Sequence, residues 1–124
     1  MSVIRRALLD TNACLYLLKG QVDPAFTLER GLVSTVSEVE LLGYPEITRA
    51  DEALIRSFLD RFELAELDEP ARASAITLRR KYRLRLGDAL ICGTALSRKA
   101  SLISHDSDLR RIEELKVLQL PLVA

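Results

Sequence analysis

Short apolar runs alternate with amphipathic stretches along the whole chain, and the two periods predict an ordered series of strands and helices. Val3–Leu9 is the first strand; its apolar end Ala7-Leu8-Leu9 closes on Asp10. Asn12–Lys19 reads as a short helix with Gly20 as the residue just past its end. Gln21–Arg30 reads as a loop, and Gly31–Val36, rich in β-branched residues, as the second strand. A helix from about Ser37 carries Val39, Leu41 and Leu42 and stops at Gly43-Tyr44-Pro45. Thr48 caps a further helix, Arg49 to about Arg61, on which Ala53, Leu54, Phe58, Leu59 and Phe62 recur at helical spacing. Leu64–Leu67 is a short strand. Asp68 caps the helix that runs to Tyr82, with Pro70 in its first turn and Ala73, Ile76, Leu78 and Tyr82 facing inward. Leu84–Gly87 is a joint. The helix Asp88–Lys99 is apolar on nearly every side and must be buried. Ser101–Ser104 is a strand, Leu109–Leu115 a short helix and Val117–Leu120 a last strand.

Strands that alternate with helices predict an α/β fold with a parallel sheet and right-handed crossovers. With no repeat, linker or low-complexity run, residues 1–124 read as one domain. A formal net charge of zero removes bulk basicity as a reason to bind nucleic acid, so any such binding needs a local basic patch. No stretch has the length of a membrane span, and Asp10 cuts the first apolar run too short for a signal peptide. Cys14 and Cys92 match no zinc spacing and read as small buried hydrophobes of a reducing, cytoplasmic compartment.

Acids follow the predicted strands. Asp10 follows the first, Glu38 and Glu40 the second, Asp106 and Asp108 the Ser101–Ser104 strand. Parallel strands share one polarity, so these acids belong at one sheet edge, where such folds bind ligands. Asp10 or Thr11 could equally cap the helix that follows. Asp88 opens the buried helix, as a cap, a first-turn acid or a member of the same cluster. Glu38 and Glu40 lie about 200° apart around a helix and cannot both serve one site; capping boxes Thr35-x-x-Glu38 and Ser37-x-x-Glu40 are both open. Converging carboxylates repel one another, and a divalent cation relieves the repulsion. Oxygen donors without a Cys/His set select Mg²⁺ or Mn²⁺, and such an ion acts on phosphates.

These residues resemble the motifs of PIN-domain ribonucleases. Leu8-Leu9-Asp10-Thr11-Asn12 is similar to the opening motif, and Val36-Ser37-Glu38-Val39-Glu40-Leu41-Leu42 to the second, which gives the metal role to Glu40. Gly87-Asp88-Ala89-Leu90-Ile91 resembles the third motif. Leu102-Ile103-Ser104-His105-Asp106-Ser107-Asp108-Leu109 resembles the fourth, with Leu109 where the family has an aromatic. The length is similar to that of the stand-alone VapC-type toxins. The resemblance implies a parallel sheet with helices on both faces and Mg²⁺- or Mn²⁺-dependent cleavage of RNA. It also implies inhibition by a small antitoxin and homodimers. On it, Asp10, Glu40, Asp88 and Asp106 hold the metal and Asp108 assists; Thr11 and Ser104 read either as caps or as donors that orient the acids.

The run Leu78-Arg79-Arg80-Lys81-Tyr82-Arg83-Leu84-Arg85 supplies the local basic patch, with Arg79, Arg83 and Arg85 as RNA-binding residues or, on the other reading, as part of a solvated helix face. His105, the one histidine, reads as a loop residue. A non-catalytic PIN-like module binding RNA or protein is the alternative function. A phosphatase of the haloacid-dehalogenase type is disfavoured because position 12 is Asn rather than Asp.

Overall fold

The computed structural model describes residues 3–123. Five parallel strands form one sheet in the order β3-β2-β1-β4-β5. They are β1 (Val3–Leu9), β2 (Thr27–Ser34), β3 (Glu63–Ala65), β4 (Ser101–Ile103) and β5 (Val117–Leu118). The helices are α1 (Thr11–Leu18), α2 (Thr35–Leu42), α3 (Arg49–Leu59), α4 (Glu69–Tyr82) and α5 (Leu86–Ser97), and a 3₁₀ turn spans Ser107–Arg111. The element order is the one that the hydrophobic pattern predicts, except that the last helix is this tighter, earlier turn.

Successive strand residues face opposite sides of the sheet, and two cores result. Leu8, Leu32 and Leu102 pack with Leu78, Ile91, Cys92 and Ala95 of α4 and α5. Ala7, Leu9, Val33 and Ile103 pack with Ala13, Leu41, Ile55 and Phe58 of α1, α2 and α3. The central strands are buried on both sides, which is why they read as continuous apolar runs.

Several boundaries and faces differ from the sequence reading. β2 starts at Thr27, not Gly31, because Thr27–Arg30 pairs with the polar half of β1, Val3 against Thr27 and Arg6 against Arg30. It ends at Ser34, whose hydroxyl accepts from Ser37 N and caps α2, so neither anticipated capping box forms. On α3 the inward residues are Ile55 and Phe58, while Leu54 is 59% exposed. On α4 they are Ala71, Ala75 and Leu78; Ala73 is exposed and Ile76 is 53% exposed. The reason is the closeness of α4 to α5. A Cβ built on Gly93 would lie 2.5 Å from Ala75 N, so this crossing admits only small residues. Ala75 sits at it and the larger Ile76 turns outward.

Helix α5 starts at Leu86, two residues before the expected position, with Arg85 as its N-cap residue. Asp88 therefore occupies the first turn rather than the cap.

Candidate active site

Strand β1 lies between β2 and β4, and the connections leaving β1 and β4 run to opposite faces. A crevice opens at such a point, outside the carboxyl ends of the strands. A cleft of about 160 Å³ lies there, lined by Asp10, Thr11, Asn12, Glu40, Gly87, Asp88 and Ile91. Three of the anticipated acids thus come together from three elements: the end of β1, α2 and the first turn of α5.

Asp10 is held from both sides. Its backbone N–H donates to Ile103 O of β4 at 3.1 Å, and its Oδ1 accepts from Ala13 N at 2.8 Å as the cap of α1. Capping and site-lining, alternatives in the sequence, are both true of this residue. Burial raises its pKa above the usual carboxylate range. The Ser104 hydroxyl, the Ala13 N–H and His105 pull the other way, and the charge of Asp106 adds to the rise. Asp88 is half-buried and its pKa is raised, first by burial and then by Asp106, Asp10 and Glu40, with Arg85 opposing. Burial, more than the repulsion expected from converging acids, is the leading cause at both positions.

Glu40 is exposed but fixed. Its Oε1 accepts from Thr11 Oγ1 at 2.7 Å, and Thr11 Oγ1 lies 2.9 Å from Ser37 Oγ. A carboxylate only accepts, so the single Thr11 proton goes to Glu40 and Ser37 must donate to Thr11. Ser37 is fully buried, and the sequence reading gives it no role at the site. Its signal there is slight: a small polar residue one turn before Glu40, on the face opposite the exposed Val39. Glu38 does not line the cleft.

Asp106 stands at the rim. It is exposed, its N–H donates to Ser104 Oγ at 3.1 Å, and its charge acts on both Asp10 and Asp88. Ser104, fully buried, thus ties the Asp106 backbone to the neighbourhood of the Asp10 carboxylate. Asp108 is placed differently: it pairs with Arg111 on the surface at 3.0 Å and lines no part of the cleft. His105 Nε2 accepts from Leu120 N at 3.1 Å and its ring meets Tyr16 edge-on, so its contacts are those of a structural loop residue. Arg79, Arg83 and Arg85 are all exposed, and Arg83 ends α4 in the left-handed region at φ 56°. Of the three, Arg85 reaches the site electrostatically, through Asp88.

The field of the cluster is felt by a neighbouring thiol. Cys92, one turn along α5 from Asp88, has its pKa pushed up to about 12 by burial, with Asp88, Asp10 and Asp106 adding to the rise. Among the described residues none of Asp10, Glu40, Asp88 and Asp106 takes part in an ion pair. Half-buried carboxylates without cations are costly, and an all-oxygen donor set suits a hard divalent ion. The donor chemistry therefore fits Mg²⁺ or Mn²⁺. Among the described residues no three acidic, His or Cys side chains stand close enough to grip one ion as they are placed.

The family model of the PIN domain matches residues 7–115. No curated protein sequence is significantly similar to the chain. Among solved structures, VapBC2 from Rickettsia felis bound to a DNA fragment from its promoter contains a chain matching 92% of this one over 98% of its own length. Its TM-score is 0.78 at 18% identity. A chain of a toxin–antitoxin complex from Klebsiella pneumoniae matches with TM-score 0.72 and 24% identity, covering 90% of this chain and 95% of that one. VapBC-1 from nontypeable Haemophilus influenzae gives TM-score 0.68 and 25% identity, over 91% and 96%.

Proposed function

The chain belongs to the PIN-domain family, and on that premise we propose that it is the nuclease toxin of a toxin–antitoxin pair, a Mg²⁺- or Mn²⁺-dependent endoribonuclease restrained by a small antitoxin. The observation that carries this reading is the convergence of Asp10, Glu40 and Asp88 on one cleft, with Asp106 at its rim and no cation paired to any of them among the described residues. Similarity to chains from VapBC structures and from a further toxin–antitoxin complex supports the toxin role and the antitoxin as partner.

Asp10, Glu40, Asp88 and Asp106 would hold the ion. When bound, Mg²⁺ or Mn²⁺ offsets the charge of the acids, polarises a phosphoryl oxygen and makes water more acidic. The chain's own residues supply position. The Ala13 N–H and the Ser104 hydroxyl fix Asp10, and the Ser37–Thr11 pair fixes Glu40. In the metal-free chain Asp10 and Asp88 hold a proton more readily than ordinary carboxylates, and a bound divalent cation would favour their ionised, ligating form. Arg79, Arg83 and Arg85 draw in the backbone phosphates flanking the scissile bond, which acids alone would repel. No Ser, Cys or His nucleophile is needed for hydrolysis of this kind.

The alternative is a non-catalytic module that binds RNA or protein, and the lack of a ready-made three-ligand cluster among the described residues favours it. A mixed pool of structured RNAs, incubated with EDTA or with Mn²⁺, separates the two. Cleavage that requires the metal and is lost in Asp10→Asn is the result expected of the nuclease. Binding without cleavage under both conditions assigns the module instead. Co-purification of a small partner and the oligomeric state in solution test the antitoxin and the homodimer.

A further inference from the structure

A second cavity, larger than the acid cleft, lies away from it. Strand β1 is paired with β2 from Val3 onward, but its pairing with β4 begins only at Ala7, opposite Ser101. Val3–Arg6 therefore overhangs β4 and leaves one backbone edge without a strand. A groove of about 540 Å³ follows this overhang, with Arg5 and Arg6 on one side and Ser101, Lys116 and Gln119 on the other.

Its chemistry is one-sided. Arg5, Arg6 and Lys116 line it and no acid does, in a chain whose formal net charge is zero. Among the described residues none of the three cations is in an ion pair. Arg6 Nε is buried and has no hydrogen-bond partner among the described residues. A desolvated guanidinium nitrogen without an acceptor is unfavourable, and an anion held by the same guanidinium offsets that cost. Arg5 and Arg6 are neighbours on the open edge, and both line the groove. Val3, Ile4 and Leu118 add apolar wall. A volume of this order exceeds a lone phosphate and falls within the range of small-molecule sites.

We infer that this groove binds the phosphate of a nucleotide unit, with Arg5, Arg6 and Lys116 as the anion contacts and the apolar wall beside the base. Two sources supply such a phosphate, a free mononucleotide or the backbone of a single-stranded nucleic acid. The inference does not depend on the chain being a nuclease.

The test uses the full chain in EDTA, with AMP and a non-cleavable 2′-O-methyl oligonucleotide as ligands and inorganic phosphate as competitor. Binding is read by calorimetry and by amide shifts at Ser101 and Lys116 against those at Gly87. Wild type is expected to bind, with shifts at Ser101 and Lys116. The Arg5→Gln/Lys116→Gln variant, altered only at exposed positions, should bind about tenfold or more weakly, as should Arg6→Gln. For the oligonucleotide, each phosphate left without its cation should reduce the logarithmic salt slope by about 0.7. Saturable AMP binding at these amides assigns the free nucleotide; oligonucleotide binding alone assigns the strand. The inference is overturned if neither ligand shifts those amides at millimolar concentration, or if the exposed double variant binds like wild type. Because that double variant leaves Arg6 intact, a failure of Arg6→Gln to fold does not blunt the test. Absence of RNA cleavage by wild type in Mn²⁺, with groove binding retained, would sink the nuclease reading and leave this one standing.

Discussion

Thr11 and Glu40 are 29 residues apart in sequence, yet the Thr11 hydroxyl donates to Glu40 Oε1 at 2.7 Å, across the gap between α1 and α2. This bond takes an exposed, flexible glutamate and gives it one orientation beside Asp10. Thr11→Val keeps the shape and removes the donor. Cleavage in Mn²⁺ should fall about 10- to 100-fold, the usual cost of losing a group that orients a metal ligand, and the melting temperature should drop as well, because the buried Ser37 hydroxyl loses its acceptor at a cost of about 1–3 kcal/mol. Wild-type turnover in this variant would mean that Glu40 needs no such support.

Glu40 and Glu38 should behave very differently, because only Glu40 lines the cleft. Glu40→Gln is expected to reduce cleavage at least about a hundredfold and Glu38→Gln by no more than a few-fold. The reverse ranking would place the site on the wrong side of α2.

The raised pKa values of Asp10 and Asp88 make a prediction about pH. Each holds its proton more tightly in the folded chain than in the unfolded one, so between the ordinary aspartate value of 3.8 and the higher folded value the native state binds more protons. Stability falls as pH rises through that window. It is greatest from these groups below the unfolded pKa and lost above the folded one. In EDTA, Asp10→Asn and Asp106→Asn should melt higher than wild type at neutral pH, the second because it removes a charge acting on both buried acids. Mn²⁺ should reverse the order by binding the native acids, with about 2.7 kcal/mol at a hundredfold excess over Kd. Equal shifts in wild type and variants on adding metal would count against a metal site here.

Asp108 provides an internal control. Its partner is Arg111 on the surface, and an exposed pair of this kind contributes little. Asp108→Asn should cost far less activity than Asp106→Asn; parity would mean that Asp108 swings into the cleft during the reaction.

Replacing Arg79, Arg83 and Arg85 with Gln should weaken RNA binding and reduce its salt slope by about 0.7 for each phosphate no longer neutralised, while metal affinity stays the same. An unchanged slope would make the run a solvated surface.

The sequence carried the element order because each central strand is apolar on both faces and α1, α3 and α4 begin at caps that the sequence offers, Asp10, Thr48 and Asp68. It carried the acids because a parallel sheet puts every strand's carboxyl end at one edge. What it missed depends on contacts between distant segments. The polar start of β2 is a strand only because β1 is there to pair with it. The inward face of α4 is set by Gly93, not by the local placement of Ile76. The hydroxyl chain from Ser37 to Glu40 and the ion pair that occupies Asp108 are visible only once α1, α2 and the 3₁₀ turn are in place.

The touching backbones of Gly93 and Ala75 have a mechanical consequence. With nothing larger than the Ala75 methyl between them, α4 and α5 resist sliding past one another. The end of α4, which carries Arg79, and the start of α5, which carries Asp88, therefore move as one stiff bracket, joined by the short span Arg83–Arg85. The separation between basic rim and acid pair is then a fixed gauge. If the proposed RNA substrate is seated on both, it must bend its own backbone to match, and unpaired, kinkable stretches would meet that demand at lower cost than a continuous duplex.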